Sequence, residues 1–119
     1  MKLATTTLIA FITLLLFSCT DSFDETLLHG DWKTTDWYIM DSGKKINNQM
    51  DFSFDADRRY IIDYGTEKEN GKYWIAVDYL HTVEDGKAEK KVKIIKLTED
   101  TLDMEMNRGG RLERLLLTK

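Results

Sequence analysis

Along most of the chain, apolar and polar positions alternate with a period of two, the pattern of strands with one face buried. Phe52 and Phe54 interleave with Asp51, Ser53 and Asp55, while Tyr60, Ile62 and Tyr64 interleave with Arg59, Ile61 and Asp63. Between them, Asp55-Ala56-Asp57-Arg58 has the length of a hairpin turn. Similar punctuation recurs at Asp41-Ser42-Gly43-Lys44, Asn70-Gly71, Asp85-Gly86, Glu99-Asp100 and Arg108-Gly109-Gly110, where Gly, Asn and Asp tolerate positive φ. The pattern predicts strands over 32–40, 49–54, 59–64, 72–81, 90–97, 101–106 and 111–118, with room for an eighth around 44–48.

No segment after residue 18 shows an amphipathic helix, and the absence of Pro suits ladders that use every backbone donor. Seven or eight up-and-down strands must pair their edges or expose them. The predicted fold is therefore all-β, an antiparallel meander of seven or eight strands closing into a small barrel. Its last strand, with Leu112 or Leu115 and Leu117 available to face inward, returns beside the first.

The N-terminus follows a different rule. Lys2 precedes an apolar run over 8–17, interrupted only by Thr13. A bilayer-spanning helix needs about 20 apolar residues, so this run reads as a helical export signal. Leu16-Phe17-Ser18-Cys19 resembles the lipobox of bacterial lipoproteins, with Phe17 a bulky departure. That resemblance implies removal of residues 1–18 and lipid attachment at Cys19. It also implies anchoring in the envelope of a Gram-negative bacterium, at the outer membrane. Each buried methylene of such an anchor contributes about 0.8 kcal/mol. Cys19 is the sole cysteine, so an exported form has no internal disulfide, and lipidation would dispose of the free thiol. An ordinary thiol behind a simple secretory signal is the competing reading.

Residues 19–26 read as a lipidated acidic tether and 27–119 as one domain. Asp21, Asp24 and Glu25 resemble an acidic signal for surface export, or simply a solvated linker. The chain holds 17 basic and 21 acidic residues, only one of which, Lys2, falls in the leader. That acidic balance offers no net attraction for nucleic acid. Lys87, Lys90, Lys91 and Lys93 form a local cluster better suited to solubility and edge protection.

Leu28-His29-Gly30-Asp31-Trp32 matches the L-x-G-x-W opening of lipocalin-like domains. Phe52-Ser53-Phe54-Asp55 with Arg59-Tyr60, then Trp74 and the hairpin from Leu97 to Leu102, resemble later parts of small bacterial lipocalin-like lipoproteins. The resemblance implies a barrel whose Gly30 permits a close backbone approach and whose Trp32 plugs the floor. It also implies binding of a small lipophilic ligand, although this chain is shorter than a full lipocalin and lacks its C-terminal helix.

The aromatic and Met side chains on these strands either fill the core or line a cavity. If they line one, Trp74, Tyr60 and Met104 are the candidate wall residues. Enzymatic function has little support. His29 and His81 lack metal-ligand spacing, and no Gly-rich phosphate loop or G-x-S-x-G elbow is present. Ser42-Gly43-Lys44 reads as a turn. The acidic pairs Asp55/Asp57, Glu67/Glu69, Glu84/Asp85 and Glu99/Asp100 all fall at predicted turns, where carboxylates are solvated. No cofactor or metal is expected. Two classes remain: a carrier of a small lipophilic molecule, or a filled barrel acting as a protein-interaction module, such as an inhibitor or accessory subunit. A connected apolar cavity of roughly 300 Å³ or more favours the carrier, and a fully packed barrel with an exposed apolar patch favours the module.

Overall fold

A computed structural model describes residues 23–119; Cys19 and the leader lie outside them. Eight antiparallel strands form a closed barrel in sequence order: β1 (Gly30–Ile39), β2 (Asp51–Phe54), β3 (Arg59–Asp63), β4 (Lys68–Ala76), β5 (Tyr79–Glu84), β6 (Glu89–Leu97), β7 (Thr101–Arg108) and β8 (Arg111–Thr118). Pairing of β1 with β8 closes the ring, with Trp37 opposite Leu115 and Lys33 opposite Thr118. Closure gives every described strand a neighbour on both sides, so the sheet has no edge strand.

Alternation along each strand builds the interior. Phe52 and Phe54, Tyr60 and Ile62, Leu102 and Met104, and Leu115 and Leu117 are buried at every second position. Strict alternation fails at two points. On β1, Trp32 and Trp37 are both buried though an odd number of residues apart, because the register shifts between Thr34 and Asp36. On β6, Ile94 and Leu97 are both buried across a shift between Ile94 and Lys96. Each bulge inserts an extra residue, bends the strand and resets which side faces in.

Four expectations need correction. The strand predicted over 72–81 is two strands, β4 and β5, joined at Val77-Asp78, and this division supplies the eighth strand. Asn70-Gly71 is not a turn but the interior of β4. A Cβ on Gly71 would lie 2.0 Å from the Val83 carbonyl oxygen, so glycine is what lets β4 and β5 approach. Residues 44–48 contribute only an isolated bridge between Tyr38 and Lys45. On β8, Glu113 rather than Leu112 shares the inward face with Leu115 and Leu117, and Leu112 is exposed.

One end of the barrel is plugged. A single 3₁₀ turn, Glu25–Leu28, is capped by the Asp24 side chain, which accepts from the Thr26 amide. Trp32 is fully buried and its indole nitrogen donates to the Leu28 carbonyl at 2.8 Å. The Lys119 ammonium sits 4.9 Å from the centre of the Trp32 ring and donates to the Leu27 carbonyl. Gly30, with φ of 126°, makes the sharp entry into β1. Glu25 belongs to this floor rather than to a free tether: it pairs with Arg58 at 2.8 Å and accepts from the Ile75 amide at 3.1 Å.

Candidate functional site

Above the floor the barrel is not filled. A cavity of about 1100 Å³ reaches from the interior to the loops at the opposite end. Its apolar wall comes from six strands, through Trp37, Phe52, Ile62, Leu80, Val92 and Met104. Residues 47–51, 64–67 and 107–108 ring the mouth.

Two buried carboxylates interrupt the apolar interior. Glu69, on β4, lines the cavity and is 7% exposed. Its two oxygens accept one tyrosine hydroxyl each, from Tyr60 at 2.5 Å and Tyr64 at 2.7 Å. Desolvation, followed by the hydrogen bond to Glu69 and its charge, pushes both tyrosine hydroxyls well above the ordinary phenol range. They therefore remain donors at any physiological pH.

Glu113, on β8, is fully buried beside Trp37. The Trp37 indole nitrogen donates to one oxygen at 2.9 Å, and Arg111 makes two hydrogen bonds to the other, at 2.5 and 2.9 Å. Arg108 approaches at 3.6 Å and lies over the Trp37 ring. Desolvation alone would raise the Glu113 carboxyl, but the Trp37 and Arg111 hydrogen bonds and the two nearby guanidinium charges outweigh it and hold the group below the usual carboxylate range.

The structure separates the three expected wall residues. Met104 lines the cavity. Tyr60 is buried in the core and reaches the site through Glu69. Trp74 does not belong to the wall: Tyr73 occupies the inward position, so Trp74 is turned to the outer face, where its ring stacks on His81 at 5.2 Å. His81 in turn contacts Glu89 at 2.7 Å. Among the described residues no group of three or more His, Cys, Asp or Glu side chains is placed to hold a metal ion.

Glu69 and Glu113 were not singled out by sequence reasoning, which assigned Glu67/Glu69 to a solvated turn. The available signal was parity: Glu69-x-Gly71-x-Tyr73 and Glu113-x-Leu115-x-Leu117 each place an acid in step with buried residues.

The fold and cavity together define a small up-and-down β-barrel with a plugged floor and an open interior. A sequence profile for the lipocalin-like domain matches residues 28–104, and the chain belongs to that family. A lipocalin-like protein from Bacteroides uniformis, known from its crystal structure, shares the fold with a TM-score of 0.59. It is 14% identical, and the match covers 78% of this chain and 98% of that one. No curated protein matches the chain.

Proposed function

We propose that the protein is a lipid-anchored binding protein of the bacterial envelope that holds a small lipophilic molecule inside its barrel. The observation that carries this reading is the cavity. Its volume of about 1100 Å³ lies just above the range typical of small-molecule sites, about 300–1,000 Å³. Packed interiors leave few voids larger than a water molecule. The same volume weighs against the filled-barrel interaction module. Apolar walls with a few fixed polar groups are the usual composition of sites that bury most of a ligand's surface. The lipobox-like Leu16-Phe17-Ser18-Cys19 supplies the anchoring part of the reading. No catalytic role is proposed.

The three tryptophans make a direct test practical. Trp37 lines the cavity, Trp32 lies in the floor, and Trp74 is outside. Native mass spectrometry of the form beginning after Cys19, purified from its own host, should reveal a bound lipophile released on denaturation. Alkyl probes should quench tryptophan fluorescence, and Trp37→Phe should remove most of that response. Bare protein together with no quenching by any lipophilic probe would overturn the carrier reading.

A further inference from the structure

The cavity has a single buried charge on its wall. Of the other Asp, Glu, Lys and Arg residues that line it, Asp51 and Asp63 are half-buried, while Glu67, Lys90, Lys91 and Arg108 are exposed. Solvent screens the exposed charges. Glu69 is shielded, and burying a carboxylate is unfavourable unless a counter-charge and hydrogen bonds compensate it.

Glu113 shows how the same barrel compensates such a group, with two arginines and an indole donor. Glu69 receives two neutral hydroxyls, and no Lys, Arg or His among the described residues forms an ion pair with it. An ionised carboxylate has about four lone-pair sites. Two hydroxyls leave about half of them unfilled, on a group that faces the cavity. Tyr60 and Tyr64 also fix the carboxylate's orientation, since each oxygen is held by a hydroxyl from β3 or the residue just after it. Thr82 adds a polar position to the same wall, whereas Phe52, Leu80 and Met104 offer only apolar surface.

Resting on the carrier reading above, we propose that the cavity selects amphiphiles with a protonated amine head group, Glu69 serving as its counter-ion and the apolar walls taking the chain. An ammonium brings one positive charge and three donors, matching the missing charge and the unfilled acceptor sites. A carboxylate head would meet like charge, and an alcohol would satisfy one acceptor site but leave the charge uncompensated.

Three probes of equal chain length decide the matter: dodecylamine, dodecanol and dodecanoate, titrated into the lipid-free mature chain, which retains the whole closed barrel. The amine should bind at least about tenfold tighter than the alcohol, with one-to-one stoichiometry, and displace it; dodecanoate should bind weakest. Glu69→Gln should cost the amine at least about tenfold in affinity and cost the alcohol, which needs only an acceptor oxygen, much less. An alcohol or carboxylate that binds as tightly as the amine, or an amine affinity untouched by Glu69→Gln, would overturn the head-group assignment while leaving the carrier reading intact. Failure of all three to bind would overturn both. Should Glu69→Gln not fold, the ranking and displacement in the unaltered protein decide alone.

Discussion

The indole nitrogen of Trp37 on β1 donates to the carboxylate of Glu113 on β8 at 2.9 Å, tying together the two strands whose pairing closes the barrel. Glu113→Ala would leave that buried donor unpaired, at a cost of about 1–3 kcal/mol. Urea unfolding should show this loss at neutral pH. The Glu113 carboxyl is held below its ordinary value of 4.5 in the folded protein. Its contribution is therefore full above that value and fades as pH falls through the folded value, because the unfolded chain takes up the proton first. The stability gap between the unaltered protein and Glu113→Gln should narrow on acidification below pH 4.5. A gap that held constant or widened would contradict the depressed carboxyl.

Gly71 has a conventional backbone conformation, so its role is space alone. An added methyl would sit 2.0 Å from the Val83 carbonyl oxygen and 2.8 Å from the Glu84 Cα, and both obstacles are backbone. Gly71→Ala should destabilise the barrel by about 3 kcal/mol or more, at or beyond the upper end of ordinary overpacking. Thermal unfolding would register it. A near-neutral result would mean that β4 and β5 are not this close.

These positions also show what was legible in the sequence. The all-β class, the closed meander and the Trp32 plug followed from alternation, turn residues and the L-x-G-x-W opening. Gly71 misled because Asn-Gly usually marks a hairpin, whereas here a long-range close approach, invisible in local sequence, requires it. The true turn, Val77-Asp78, escaped because its first residue is β-branched. Met104, singled out from the aromatic and Met content of the strands, does line the cavity. Trp74 was misplaced because a large aromatic side chain does not reveal which face of a strand it occupies. Glu69 and Glu113 stayed hidden because an isolated acid reads as polar surface unless its phase with neighbouring apolar residues is given more weight than its charge.

Val77 adopts φ of 59°, in a region that β-branched residues rarely enter. A left-handed conformation costs an L-residue roughly 1–2 kcal/mol, and glycine is the residue expected at the first position of many two-residue hairpin loops. Val77 is also 58% exposed, so little packing is lost on its removal. Val77→Gly should therefore stabilise the barrel by about 0.5–1 kcal/mol after the entropy of glycine in the unfolded chain is counted. A lower denaturation midpoint in urea would refute this.

Three of the five tyrosines resist ionisation in the folded protein. Burial pushes the Tyr73 hydroxyl up to about 12, reinforced by the charges of Glu25 and Asp55; Tyr60 and Tyr64 are raised further. Since the unfolded chain loses these protons near 10, the stability they confer is complete below that pH and is lost as pH rises through the folded values. Alkaline titration should show their tyrosinate absorbance appearing together with loss of the barrel's circular dichroism. Tyr73→Phe should reduce the steepness of that transition. Full ionisation of all five near pH 10 in a still-folded protein would show that these hydroxyls are not buried as described.

Lipid attachment is a separate question from barrel stability, and its test must keep the two apart. Phe23 already packs against the core, and directly after it the capped turn at Asp24 and the Glu25–Arg58 pair fasten the chain to the barrel floor. Cys19 lies only a few residues ahead of that point, so an anchor there would hold the floor toward the bilayer and leave the cavity mouth, at the other end, facing away. Cys19→Ser should leave the thermal unfolding of the barrel unchanged, while abolishing fatty-acid labelling and releasing the protein from the membrane fraction. A single acyl chain gives only marginal membrane binding, so stable retention would require more than one chain at Cys19. Equal metabolic labelling of Cys19→Ser would defeat the lipobox assignment without touching the fold. Arg58→Ala should do the converse: it removes the Glu25 pair and loosens the floor, but labelling at Cys19 should persist.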